Sequence, residues 1–271
     1  MALILNMDTS TDYASIALAM DGKLIESMRN PELRDHASWI HQAMRELLIK
    51  CGYTLPHLQA IAVTGGPGSY TGLRIGMSTA KGLCYVLNIP LIIENTLKVM
   101  AASYQEAPER LGGNGQGSSQ QAAGNGQMAT ANIEAKANVP LASQYNKPET
   151  TNRERKAPES LLVPMIDARR MEVFTAIYDH QLNVVMTPKA LILTAESFDQ
   201  WKDGRRLIFF GSGSKKFESI VSDVHFEFKE SIFDASALAA LSYEHFLNKD
   251  FADLAYAEPF YLKEFFSTGK K

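Results

Sequence analysis

The chain is poor in cysteine: Cys51 and Cys84 are the only two in 271 residues. Two are too few for the disulfide framework of a secreted protein, so a cytoplasmic protein is expected. It also lacks a surplus of positive charge, with 27 Lys and Arg against 30 Asp and Glu and a formal charge of −3. That balance excludes a protein that holds nucleic acid mainly by its overall field. No long apolar run opens it, because MALILNMDTS has no basic stretch and is broken by Asn6 and Asp8. Neither a signal peptide nor a membrane span is expected there. HExxH, paired-cysteine and GxSxG motifs are missing too, which removes the usual grounds for a zinc or serine hydrolase. His36 and His41 stand five apart, about 140° around a helix, too far round to share a ligand. His57, His180, His225 and His245 are isolated in sequence, so no metal site is expected.

What is present is unevenly distributed. Residues 106–158 hold 17 Gly, Asn and Gln and only six large apolar side chains among 53 positions. Such a segment buries too little apolar surface to offset its ordering entropy and is expected to be a disordered or flexible polar insertion. The other 218 residues are richer in apolar side chains than the 45% of the whole and divide into two lobes, 1–105 and 159–271. ALILNMD reads as a buried strand ending in a carboxylate, followed by strands YASIALAM and KLIESM. From Asp35 the period becomes helical, with Ile40, Met44, Leu47 and Leu48 on one face and Gly52 as a C-terminal cap. LQAIAVT, a helix over Leu73–Asn88, PLIIE and a helix over Thr96–Tyr104 follow. After the insertion LLVPMID, EVFTAIY, LNVVM and RLIFF repeat the strand pattern, and a helix runs from Asp234 to Leu247. Asp8 precedes its turn residue Asp21 much as Asp167 precedes Asp179, which suggests a duplicated strand, acidic turn, strand, turn, strand unit. The fold class expected is α/β, two similar lobes of mixed sheet flanked by helices. Pattern alone does not assign the last helix to either lobe.

Three groups of residues are chemical candidates. Asp8, Thr9 and Ser10 put a carboxylate and two hydroxyls on a turn where phosphate or a metal could sit, though the same residues cap turns for structural reasons. Gly65 to Gly72, GGPGSYTG, opens onto a helix whose first amides could receive an anion, with Gly66 and Gly68 as possible phosphate-loop residues. It is no P-loop, because no Lys-Ser or Lys-Thr follows, and its spacing misses the dinucleotide fingerprint by one. Close backbone packing explains it equally well. The helix beyond carries Gly72, Gly76, Ala80 and Cys84 at intervals of four, and the preceding helix offers Trp39, Ile40, Ala43, Met44 and Leu47. Either face could be buried in its own lobe or against a second subunit.

The segments MDTSTDYASIALAMDGKLI, AIAVTGGPGSYTGLRIGMSTAKGLCYVLNIPLI, VPMIDARRMEVFTAIYD and AEPFYL together resemble the TsaB (YeaZ) family of tRNA threonylcarbamoyladenosine biosynthesis. The likeness spans nearly all the chain outside 106–158, an insertion that departs from the shorter join usual in the family. It implies a two-lobed actin/Hsp70-like (ASKHA) fold and a non-catalytic relative of TsaD, the subunit that threonylcarbamoylates adenosine 37 of ANN-decoding tRNAs. TsaD holds a metal through an HxxxH pair; Thr96 and Met100 stand at those places here. The second phosphate turn, glycine-rich in active relatives, reads Asp167, Ala168, Arg169, Arg170 and Met171. Both differences imply no catalytic site of its own. The resemblance further implies a heterodimer with TsaD, TsaE joining as an ATPase, a homodimer when alone, and tRNA met only through the complex, with no membrane contact. The interface would lie on the first two helices, with Trp39, Ile40, Ala43, Met44, Leu47, Gly72, Ile75, Gly76, Thr79 and Ala80 as candidates. No cofactor is required of this subunit, although ATP or ADP could bind in the complex. The competing expectations are a glycoprotease-like metallopeptidase and a nucleotide-sensing module using Asp8, Thr9 and the Gly66 to Gly68 loop.

Overall fold

A computed structural model describes residues 1–33, 35–105, 160–230 and 233–263. The insertion expected over 106–158 lies outside them.

The first lobe is a five-stranded sheet of β1 (Leu3–Asp8), β2 (Ser15–Met20), β3 (Lys23–Arg29), β4 (Ala60–Gly66) and β5 (Leu91–Asn95), with α1 (His36–Lys50), α2 (Tyr70–Leu87) and α3 (Thr96–Gln105). The second lobe contains β6 (Leu161–Asp167), β7 (Glu172–Tyr178), β8 (Val184–Ile192), β9 (Leu207–Phe210), α4 (Ser214–Glu218) and β10 (Phe226–Lys229), and α5 (Leu238–Asn248) follows. The strand orders are β3-β2-β1-β4-β5 and β8-β7-β6-β9-β10. In both, the first three strands pair antiparallel and the last two join parallel. The duplicated unit legible in the sequence is therefore a duplicated sheet.

β1 is buried along its whole length because both faces of its sheet are covered. Leu3, Leu5 and Met7 pack with Ile40, Ala43, Met44 and Leu47 of α1 and Met77, Ala80 and Cys84 of α2. Ala2 and Ile4, one residue out of phase, meet Val99 and Ala102 of α3 and Leu238 and Leu241 of α5. The helix that pattern left unassigned thus packs on the first sheet, and its leading 3-10 turn is tied there by the Ala235 amide, which donates to Ser15 Oγ at 2.9 Å. The other side of α3, Leu97, Met100 and Ala101, meets Leu162, Ile166, Ile208 and Phe210 of the second sheet. α3 therefore lies between the sheets and shares its apolar side chains with both.

Local signals explain most boundaries. Gly52 ends α1 with φ +75°, and its amide donates to Ile49 O at 3.0 Å. α2 begins three residues before the expected Leu73 because Ser69 caps it, its Oγ accepting from the Gly72 amide at 3.3 Å. Asn88 closes it at φ +53°. β8 outruns LNVVM through Thr187, Pro188 and Lys189 because β7 offers a full antiparallel partner.

Candidate functional site

The ends of β1, β4 and β5 carry a polar row across the first sheet. Ser15, Asp8, Thr64 and Glu94 are at most 7% exposed, and the strand register sets Asp8 opposite Ser15 and Thr64 opposite Glu94. Asp8 Oδ1 accepts from Ser10 Oγ and Thr64 Oγ1, both at 2.6 Å, and from the Ser10 amide at 3.2 Å. Its Oδ2 is buried with no hydrogen-bond partner. Burial pushes this carboxyl above its ordinary value against the hydroxyls that favour the charge.

The glycine loop next to this row is filled by the chain itself. A Cβ on Gly68 would lie 2.3 Å from Ser10 O, and one on Gly66 2.4 Å from Phe260 O. The Ser69 amide donates to Ser10 O at 2.7 Å and the Gly72 amide to Ser69 Oγ, so these two amides at the start of α2 are engaged within the chain. Thr9 Oγ1 donates to Gly72 O at 2.8 Å. At the second turn Asp167 Oδ1 takes the Arg169 amide and Lys216 Nζ, each at 2.6 Å. Partial burial works to raise Asp167, but those two donors hold it below its usual value. Of the candidate phosphate contacts, Asp8, Thr9, Ser10 and Asp167 hold hydrogen bonds within and beside their turns, and Gly66 and Gly68 are closely approached by the carbonyls of Phe260 and Ser10.

Arg169 and Arg170 run at φ +69° and +50°, a region that costs a residue with a Cβ roughly 1–2 kcal/mol. Arg169→Gly is expected to raise stability by about 1 kcal/mol, or roughly 2–4 °C in a thermal melt, with both lobes intact. An unchanged or lower melting temperature would mean the arginine side chain holds the turn.

Thr96 and Met100 are buried on α3, and Thr96 Oγ1 has no hydrogen-bond partner. Among the described residues no group of three or more His, Cys, Asp and Glu side chains is placed to hold a metal. No described helix is long and apolar enough to cross a membrane.

The expected interface faces point inward. Ile40, Ala43, Met44, Leu47 and Ala80 are at most 4% exposed, and Gly72 and Gly76 are buried. A Cβ on Gly72 would lie 2.0 Å from Thr9 O and one on Gly76 2.3 Å from Thr9 Oγ1. The small stripe therefore seats α2 on the β1–β2 turn, the own-lobe alternative for that face. Trp39 and Ile75 are half-buried against the same core, and Thr79 is half-buried. The outward side of these helices is a groove lined by Ala37 and His41 from α1 and Tyr70, Thr71, Arg74, Ile75, Ser78 and Thr79 from α2. Farther along α2, Tyr85 and Val86 are 80% and 79% exposed.

One cluster escaped the sequence reading. His245, isolated in sequence, lies with Nε2 3.1 Å from Glu94 Oε2 and Nδ1 2.8 Å from Asp250 Oδ2. Lys98 Nζ donates to Glu94 Oε2 at 2.9 Å and the Asn95 amide to Oε1 at 2.7 Å. The Glu94 bond raises His245; burial works to raise Glu94, but His245, Lys98 and the Asn95 amide bring it below its usual value. Glu94 and His245 are 151 residues apart in the chain. Only the local Glu94–Lys98 spacing was legible beforehand.

Residues 29–114, which include α1 and α2, match the family model described as TsaD, tRNA N6-adenosine threonylcarbamoyltransferase. The chain is 25% identical over 224 residues to the tRNA threonylcarbamoyladenosine biosynthesis protein TsaB of Bacillus subtilis, covering 82% of this chain and 76% of that one. It is 38% identical over 100 residues to TsaB of Escherichia coli, covering 36% of this chain and 42% of that one. YeaZ from Pseudomonas aeruginosa superposes with a TM-score of 0.68 at 22% identity, over 97% of this chain and all of that one, a likeness of fold. In sequence the chain is thus similar to TsaB proteins, and in fold to YeaZ.

Proposed function

We propose that the chain is a non-catalytic accessory subunit that docks a TsaD-family transferase on the outward groove of α1 and α2 and so supports N6-threonylcarbamoylation of adenosine 37 in ANN-decoding tRNAs. The observation that carries this reading is that groove, lined by the aromatic Tyr70, the cation of Arg74 and small polar Ser78 and Thr79. It lies within the segment that matches the TsaD family model, so the two proteins would present homologous helices to each other. Tyr and Arg are the residue types that most often anchor interfaces. TsaE joins the pair as an ATPase, ATP or ADP binds in the complex, and tRNA is held by the partner. Cytoplasmic placement belongs to the same reading. Docking would act by favouring the transferase conformation competent for transfer.

When alone the chain pairs with itself through the same groove and the adjoining Tyr85 and Val86. The apolar faces first considered for that contact are inside the lobe. The filled glycine loop supports this reading over a nucleotide sensor.

Ser78→Arg puts a long charged side chain into the groove at an exposed position without touching the core. It is expected to weaken binding to TsaD by about 100-fold, the scale of an interface hot spot, with an unchanged melt. Wild-type affinity in a titration, or full tRNA modification when this subunit is left out of the reconstituted system, would sink the reading.

A further inference from the structure

After α5 the chain crosses back over the first lobe. The Ala252 amide donates to Leu91 O at 2.9 Å, beside β5. Lys81 Nζ of α2 then donates to Ala257 O at 2.8 Å and lies 3.4 Å from Ala255 O. The Phe260 amide donates to Gly65 O at 2.7 Å, and the close approach of Phe260 O to Gly66 is open only because that residue is glycine. Tyr261 OH accepts from Arg74 Nε at 3.1 Å, and its ring lies 5.2 Å from that of Tyr70. Arg74 in turn lies over the Tyr70 ring at 4.0 Å. Finally Lys263 pairs with Glu172, the first residue of β7 in the second lobe.

We propose that residues 252–263 are a strap coupling the outward groove of α2 to the second lobe. Tyr70 and Arg74 line the groove and also hold Tyr261. A partner carboxylate that takes the Nε edge of the Arg74 guanidinium forms a bidentate charged pair, stronger than the bond Nε donates to the Tyr261 phenol oxygen. Tyr261 then leaves. It adjoins Phe260 directly, and the two residues from Tyr261 to Lys263 span at most ~7 Å, so the strap has little slack between its anchors. Losing the Tyr261 clamp therefore loosens the Phe260–Gly65 bond on one side and the Lys263–Glu172 pair on the other. The coupling to a partner rests on the docking role of the groove; the coupling between the strap's own anchors does not.

Amide hydrogen exchange of the full chain separates the two. In the free chain Tyr261→Ala is expected to speed exchange at Phe260 at least tenfold. Glu172→Gln, cutting only the far anchor, is expected to speed it severalfold because coupling is reciprocal. If Glu172→Gln leaves Phe260 unchanged while the melt shows a folded protein, the anchors are independent and the strap is overturned. With saturating TsaD, Phe260 exchange is expected to rise in the wild-type chain. A complex that forms with Phe260 exchange unchanged or slowed overturns the coupling and leaves the docking role standing. No complex at all overturns the docking role, and the two variants of the free chain still decide the strap.

Discussion

Gly72→Ala and Gly82→Ala, the same substitution ten residues apart on one helix, are expected to move stability in opposite directions. At Gly72 the new methyl would lie 2.0 Å from Thr9 O and 3.1 Å from the His36 ring. The first obstacle is backbone in the buried β1–β2 turn, so α2 must lift off the sheet or the turn must deform. Overpacking of that kind costs ~3 kcal/mol, or roughly 6–12 °C in a thermal melt. It also strains the bond from Thr9 Oγ1 to Gly72 O, which ties the turn to the helix. At Gly82 nothing lies within 4 Å of the added carbon. There the only change is intrinsic, and an alanine in a helix interior is worth about 1 kcal/mol over glycine, roughly 2–4 °C upward. Equal shifts of one sign in the two melts would show that the α2 stripe does not make the close contact assigned to it.

His245→Gln is expected to remove most of the pH dependence that ties α5 to the first sheet. His245 is held above its free value of 6.5, chiefly by its bond to Glu94. Its contribution is therefore complete below pH 6.5 and is lost as the pH rises through the higher folded value. Glu94 is held below 4.5, so its contribution is present above that pH and is lost as the pH falls through the lower folded value. The network is strongest between about pH 4.5 and 6.5. Near pH 6 the variant is expected to lose ~2 kcal/mol, the usual worth of a hydrogen bond to a charged group. The gap between wild type and variant should narrow toward pH 9 as His245 loses its charge in the wild type. A gap that stays constant from pH 5 to 9 in paired thermal melts would show that the histidine acts there only by packing.

Much of the architecture was legible because strands buried on both faces carry continuous apolar runs. ALILNMD and LLVPMID each show one, and each ends in an aspartate at a turn. Repetition of that unit was enough to expect two like sheets, and both were found with matching strand order. Gly52 and Asn88 mark helix ends through a backbone conformation that few residues adopt at low cost. Shorter elements were harder to see. α4 and β10 have five and four residues, too few for a period to stand out.

The candidate site was legible only as a set of residues. The Asp8 to Ser10 turn and the glycine loop were both singled out, but the pattern allowed either a phosphate cradle or close packing. The carbonyls of Ser10 and Phe260 pack closely against Gly68 and Gly66, and Phe260 lies almost two hundred residues further along the chain. The helix faces show the same limit. A stripe such as Gly72, Gly76 and Ala80 says that something comes close, and its period is the same whatever that neighbour is. The neighbour of Gly72 and Gly76 is Thr9, in the same lobe.

By itself the sequence determined the two-lobed α/β class, a resemblance to TsaB proteins, and which residues have too little bulk or too much polarity to be ordinary core. Those properties are written locally, in period, turn chemistry and side-chain size. Tertiary structure alone decided what faces each of them: α5 on the first sheet, Glu94 with His245, Tyr261 with Arg74, and the inward turn of the small stripe. Contacts between residues far apart in the chain depend on how the elements pack, and no local pattern encodes the identity of the partner across the gap.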